Sequence, residues 1–334
     1  MTLDPEAYIR ERLTRVVRPD IRPAALQDSL AEVFGGLNGW ERPPLQAEVR
    51  DIHRFEGYRR ETVTFTSRPG LTVFGYFLVP DGLPSDARRP GLVVLPGHGR
   101  GVDSFVGIGE DGRQEVARAD TEYHANMALQ CVANGYPTLA IELMSFGHRR
   151  RADAVAQGPG ASSCHDDSMA ALMLGETMTG WRVWDAIRAL DYLETRSEVD
   201  SARIGTMGIS GGGLVSMFTA ALDTRVRACV VSAYLNTFAD SVLAVPHCVD
   251  NYAPGLFALT EMPGIASLIA PRALYAESGR DDPIFPVRGF EVAVREVAEA
   301  YEAAGVPERF AAEIVSGGHR FDGEGVWPFL AKHL

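Results

Sequence analysis

From residue 90 onward, short apolar runs bounded by glycine and proline alternate with longer stretches of helical periodicity. The runs are GLVVLP (91–96), YPTLAIEL (136–143), RIGTMG (203–208), RACVVSAY (227–234), RALYAESG (272–279) and FAAEIVSG (310–317). They look continuous, not alternating, which is the pattern of a strand covered on both faces. Helical patterns fall between them, at 120–134, 177–195, 212–222, 289–304 and 325–332. Strands alternating with helices predict an α/β fold, a mostly parallel sheet with helices on both faces. With 334 residues the chain can build one large core.

Upstream, ETVTFTS (61–67) and LTVFGYFLVP (71–80) alternate and are separated by RPG, so they read as an antiparallel hairpin. This brings the expected sheet to about eight strands. Residues 4–17 and 23–34 look helical, and the stretch GGLNGWERPP (35–44) breaks the pattern. The expected division is an N-terminal helical segment, 1–58, and a main domain, 59–334. The longest irregular stretch is 145–168, which is either a surface insertion or a partial cover over a site. The segment 240–262 is a second candidate cover.

Composition removes several functions. The formal net charge is −12 and the arginines are scattered, so no basic stripe awaits a nucleic acid. No apolar run approaches a membrane span, and the N-terminus has no signal-peptide core, so the expected setting is the cytoplasm. A single lysine, Lys332, leaves none for a P-loop, a Schiff base or a Ser-Lys pair. The cysteines are Cys131, Cys164, Cys229 and Cys248, and their spacing shows neither a zinc motif nor a dithiol motif. No metal or organic cofactor is expected.

The stretch RIGTMGISGGG (203–213) places Ser210 between an apolar run and three glycines. Gly208-Ile209-Ser210-Gly211-Gly212 fits G-x-S-x-G, and it ends a strand and opens a helix, as a nucleophile elbow requires. A glycine-rich turn with a spectator serine is the alternative. Partners on such a fold follow in the order Ser, Asp or Glu, His. Of the histidines after residue 281, His319 in SGGHRF lies just beyond the last strand, whereas His333 is at a chain end that usually frays. His319 is therefore the expected base. The acid should lie in GRDDPIFP (279–286), where spacing alone leaves both Asp281 and Asp282 open. Two oxyanion donors are expected: the N–H of Gly211, after the nucleophile, and that of His98 in LPGHGRG (95–101).

These residues resemble the α/β-hydrolase superfamily, and within it the dienelactone-hydrolase-like and acetyl-xylan-esterase-like branch. The resemblance spans roughly residues 60 to 334. It rests in order on LPGHG, GISGGG, ALDTRVRACVVSAY, HCVDNYAPG (247–255), LIAPRALYAESGRDDPIFP and GGHRF. It implies Asp282 as the acid, by its distance from Gly279 and Pro286, and His98 as the second donor, after Pro96-Gly97. Serine stands where the dienelactone hydrolases proper use cysteine. No role for His247 or Tyr252 is implied.

The expected activity is hydrolysis of a carboxylic ester or related acyl bond in a small molecule, through Ser210, His319 and Asp282. The same triad could serve acyl transfer, lactone formation or C–C bond hydrolysis. A catalytically silent binding protein on this scaffold is the reading from another class, and the complete Ser-Asp-His order argues against it. Exposed faces of the N-terminal helices could support a homodimer.

Overall fold

The computed structural model describes residues 3–82, 88–114 and 123–334. Nine strands form one sheet: β1 (Glu48–Phe55), β2 (Tyr58–Arg68), β3 (Leu71–Pro80), β4 (Arg89–Leu95), β5 (Thr138–Ile141), β6 (Val199–Ile209), β7 (Val226–Ser232), β8 (Ala273–Gly279) and β9 (Phe310–Val315). Their order is β1-β2-β3-β5-β4-β6-β7-β8-β9. The β1–β2, β2–β3 and β3–β5 pairs are antiparallel, and every pair from β5–β4 to β8–β9 is parallel.

The sheet has one strand more than the sequence suggests. Residues 48–55, expected within the helical segment, form the edge strand β1. This strand is exposed along almost its whole length, so it is held by backbone pairing to β2 and carries no burial pattern to betray it. The helices of the segment are α1 (Pro5–Thr14) and α2 (Pro23–Val33). Asp4 caps α1 through its carboxylate, and proline at the first turn suits both starts.

Side chains along the central strands alternate between two apolar clusters. Val93 and Leu95 of β4 and Cys229 and Val231 of β7 join one; Leu92, Val94, Ala228 and Val230 join the other. Each strand is thus buried on both faces, which accounts for its uninterrupted apolar run. The first cluster takes in α3 (Met178–Glu194), α4 (Gly211–Leu222) and α5 (Val287–Ala303). It also takes in Leu26, Leu30 and Phe34, so the N-terminal segment packs on the main core through α2. Phe34 meets Phe218 of α4 edge to face at 5.0 Å between ring centroids. The second cluster takes in Met127–Ala133 and Val326–His333, the helices between β4 and β5 and after β9.

The stretch 145–168 is not irregular. It holds a 3-10 turn (Gly147–Arg149), a short helix (Ala152–Gln157) and the start of a longer one (Cys164–Met173). The helical pattern at 120–134 is seen as Met127–Ala133, and its first residues lie outside the described ones.

Candidate active site

Strand β6 ends at Ile209 and α4 begins at Gly211, so Ser210 alone makes the turn between them. Its backbone sits at φ 55°, ψ −123°, a conformation that L-residues rarely adopt. Only a tight approach of strand and helix forces this. A Cβ on Gly208 would lie 2.1 Å from Gly212 O, and one on Gly212 would lie 1.9 Å from Leu95 O. Both obstacles are backbone, so neither can step aside. Ser210 N–H donates to Ser232 O at 3.0 Å, locking the turn onto β7. Gly211 N–H, at the first position of α4, has no carbonyl of the preceding helical turn to bond and carries the positive end of the helix dipole.

The loop after β4 comes against this turn. A Cβ on Gly97 would be 3.1 Å from Ser210 Cβ and 3.0 Å from Ile209 O. The His98 ring lies over Gly211, with Nδ1 3.2 Å from the place of a Cβ there. The Tyr123 hydroxyl donates to His98 O and fixes that carbonyl.

His319 follows β9, and Asp282 follows β8. His319 Nδ1 lies 2.7 Å from Asp282 Oδ2. The other carboxylate oxygen, Oδ1, accepts from the N–H groups of Ile284 (2.8 Å) and Phe285 (3.0 Å). The imidazole stands between the rings of Phe285 and Tyr123, at 5.8 and 5.6 Å between centroids and nearly parallel to both. Asp281 is exposed, so of the two aspartates that spacing leaves open, Asp282 is the one that meets the imidazole.

Ser210, Gly211, His98 and His319 line one cleft of about 300 Å³. Tyr123, Phe285 and Ile284 form apolar wall, and Pro246, His247, Cys248 and Asn251 come from the 240–262 segment. The 145–168 stretch contributes no lining residue to it; it packs behind the cleft, with Phe146 edge-on to the His98 ring at 4.9 Å.

Beneath His98 lies a network with no sequence signature. Asp250 Oδ2 is 3.0 Å from His98 Nε2, although the alignment is too poor for a good hydrogen bond. Arg182, fully enclosed, donates to the same carboxylate and to Met144 O. Burial disfavours an imidazolium at His98, but the Asp250 carboxylate outweighs it and lifts the imidazole to about 9. Burial alone disfavours the Asp250 anion too, and Arg182 and His98 together hold its carboxyl well below the usual range. His124 is the opposite case: enclosed near His319, it is pushed down to about 3 by desolvation and stays neutral, 3.1 Å from Ser104 Oγ.

Comparison with known proteins agrees with this architecture. A Bacillus subtilis (strain 168) protein, YtaP, provisionally named a hydrolase, is 28% identical over 285 residues, covering 84% of this chain and 88% of its own. A Bacteroides fragilis NCTC 9343 protein, provisionally named an acetyl xylan esterase, superposes with a TM-score of 0.79 at 18% identity, covering 99% of this chain and 95% of its own. A glucuronoyl esterase from Solibacter usitatus superposes at 0.66 with 17% identity, covering 95% and 94%. The model of the Abhydrolase family matches residues 38–317, and the chain belongs to that family.

Proposed function

We propose that the protein is a serine hydrolase that cleaves a carboxylic ester of a small molecule. The observation that carries this reading is a serine held at φ 55° on a strand-to-helix turn, in one cleft with an imidazole paired to a buried carboxylate. Backbone strain of this kind costs about 1–3 kcal/mol and persists where the surroundings enforce it.

In this mechanism Ser210 Oγ attacks the acyl carbon while His319 Nε2 takes its proton. Asp282 accepts from Nδ1–H, selects that tautomer and stabilises the imidazolium that forms. The N–H groups of Gly211 and His98 receive the oxyanion, a contribution of about 2.7–4 kcal/mol per donor in comparable sites. His319 then protonates the leaving alcohol. Water, deprotonated by the same imidazole, releases the acyl group from Ser210. Two of the structures it resembles are named for an ester, one an acetyl xylan esterase and one a glucuronoyl esterase, which supports an ester substrate.

Intact-protein mass after incubation with a fluorophosphonate tests the reading. One adduct is expected on the wild type and none on Ser210→Ala or His319→Ala. A folded wild type that takes no adduct would overturn it in favour of a silent binding protein.

A further inference from the structure

Behind the cleft, four side chains from three separate segments point at one spot. His98 follows β4, Cys164 opens the helix Cys164–Met173, and Cys248 and Asp250 lie two residues apart in the segment that lines the cleft. One ligating atom from each falls within 4.8 Å of all the others. His98 Nε2 is buried and has no well-aligned hydrogen-bond partner, so an imidazole nitrogen is aimed into the cluster with its requirement unmet. We propose that His98, Cys164, Cys248 and Asp250 form a structural zinc site that pins the loop carrying the oxyanion donor.

The geometry suits that ion. Ordinary zinc–ligand lengths in a tetrahedron put two sulfurs about 3.8 Å apart, sulfur and oxygen about 3.6 Å, and nitrogen and oxygen about 3.4 Å. Here Cys164 Sγ and Cys248 Sγ are 3.3 Å apart. Cys164 Sγ is 3.3 Å from Asp250 Oδ2, and His98 Nε2 is 3.0 Å from the same oxygen. Each of these edges needs to open by about half an ångström or less to admit the metal. Two sulfurs and an imidazole exclude magnesium and calcium, which take oxygen ligands.

The charges close as well. Two thiolates and a carboxylate carry three negative charges. Arg182, which contacts Asp250 Oδ2 and lies 3.3 Å from Cys164 Sγ, supplies one positive charge, and Zn²⁺ supplies two. Arg182 then acts from outside the coordination sphere, holding a ligating carboxylate and a ligating thiolate in place. On binding, zinc displaces the protons of both thiols and the proton of His98 Nε2, which pass to solvent. Four protein ligands leave no open position, so the ion is structural and takes no part in ester chemistry. Its ligands are spread from residue 98 to residue 250, which is why no zinc motif is visible in the sequence.

The test uses the untagged full chain, purified anaerobically and dialysed against zinc, then passed to native mass spectrometry and elemental analysis. The expected result is about one zinc per chain in the wild type. In Cys164→Ser and Cys248→Ser the expected content falls at least about tenfold. Replacement by cobalt(II) should give a thiolate-to-metal charge-transfer band and tetrahedral d–d bands. The cobalt spectrum of the wild type decides the matter alone if a serine variant does not fold. Zinc below about a tenth per chain, or bound cobalt without the thiolate band, would overturn the site. So would a wild-type mass short by two hydrogens with a mapped Cys164–Cys248 disulfide, which would make the pair a redox couple. None of these readouts depends on the substrate.

Discussion

Asp282 offers one carboxylate oxygen to His319 Nδ1 at 2.7 Å and the other to two backbone N–H groups, with none of its side chain exposed. This double attachment fixes what asparagine would do there. Its carbonyl would have to keep the Ile284 and Phe285 N–H groups, and its NH2 would then face Nδ1. His319 would be driven to carry its proton on Nε2, the wrong nitrogen for taking one from Ser210. We expect Asp282→Asn to lower kcat by about 10⁴ while the fold survives. Asp281→Asn, on an exposed neighbour, should stay within a few-fold. Steady-state kinetics on a chromogenic ester check both, and equal losses at the two positions would refute the assignment.

Ser210 should also be a stability liability. A serine at φ 55°, ψ −123° is strained where glycine is not. Ser210→Gly is therefore expected to raise the free energy of unfolding by about 1 kcal/mol while abolishing turnover. Urea unfolding of the two proteins measures this. A glycine variant less stable than wild type would mean that the hydroxyl's own contacts outweigh the strain.

The glycines around the turn divide into two kinds. At Gly212 a methyl group would meet Leu95 O at 1.9 Å and Pro96 O at 2.7 Å, with no side chain to yield. Gly212→Ala is expected to cost at least about 3 kcal/mol, the upper part of the usual overpacking range. At Gly211 the nearest atoms belong to the His98 ring at 3.2 and 3.3 Å, a side chain that has only to shift slightly, taking its loop with it. Gly211→Ala should fold and lose activity through displacement of the His98 loop. Thermal unfolding alongside kinetics separates the two cases.

Those glycines also show how far sequence carries. Ser210, His319 and the loop holding His98 are legible because each sits at the end of an apolar strand, where chain order and turn chemistry restrict the choices. Without the resemblance, spacing leaves Asp281 and Asp282 open; what separates them physically is which side chain the turn buries. Strand β1 escapes because it buries no face. The helix Cys164–Met173 escapes because its buried residues are Cys164, Ser168 and Ala171, small and partly polar, which makes a faint hydrophobic stripe. Arg182 and Asp250 read as an ordinary helix charge and loop charge, and only the fold reveals that they meet in the interior under His98.

Glu142, at the end of β5, gives the clearest dependence on pH. Its carboxylate is fully buried, accepting from Val102 N–H at 3.0 Å and His148 N–H at 3.2 Å. Both neighbouring turns make room for it with glycine: a Cβ on Gly101 or Gly147 would collide with its oxygens, and both residues have positive φ. Desolvation outweighs those hydrogen bonds and raises the group from 4.5 to about 7. A carboxyl raised on folding favours the folded state fully below pH 4.5, and this advantage is lost as pH climbs through 7. The loss amounts to roughly 3 kcal/mol. Glutamine cannot ionise, though it must turn its NH2 toward one of the two N–H donors, so Glu142→Gln should be the less stable protein at pH 5. By pH 8 the gap should shrink or reverse, since only the wild type has paid to bury a charge. Urea unfolding of both proteins at the two pH values reads out the change, with other titrations cancelling in the difference. Parallel stability curves would mean that Glu142 keeps an ordinary carboxylate affinity for protons despite its burial.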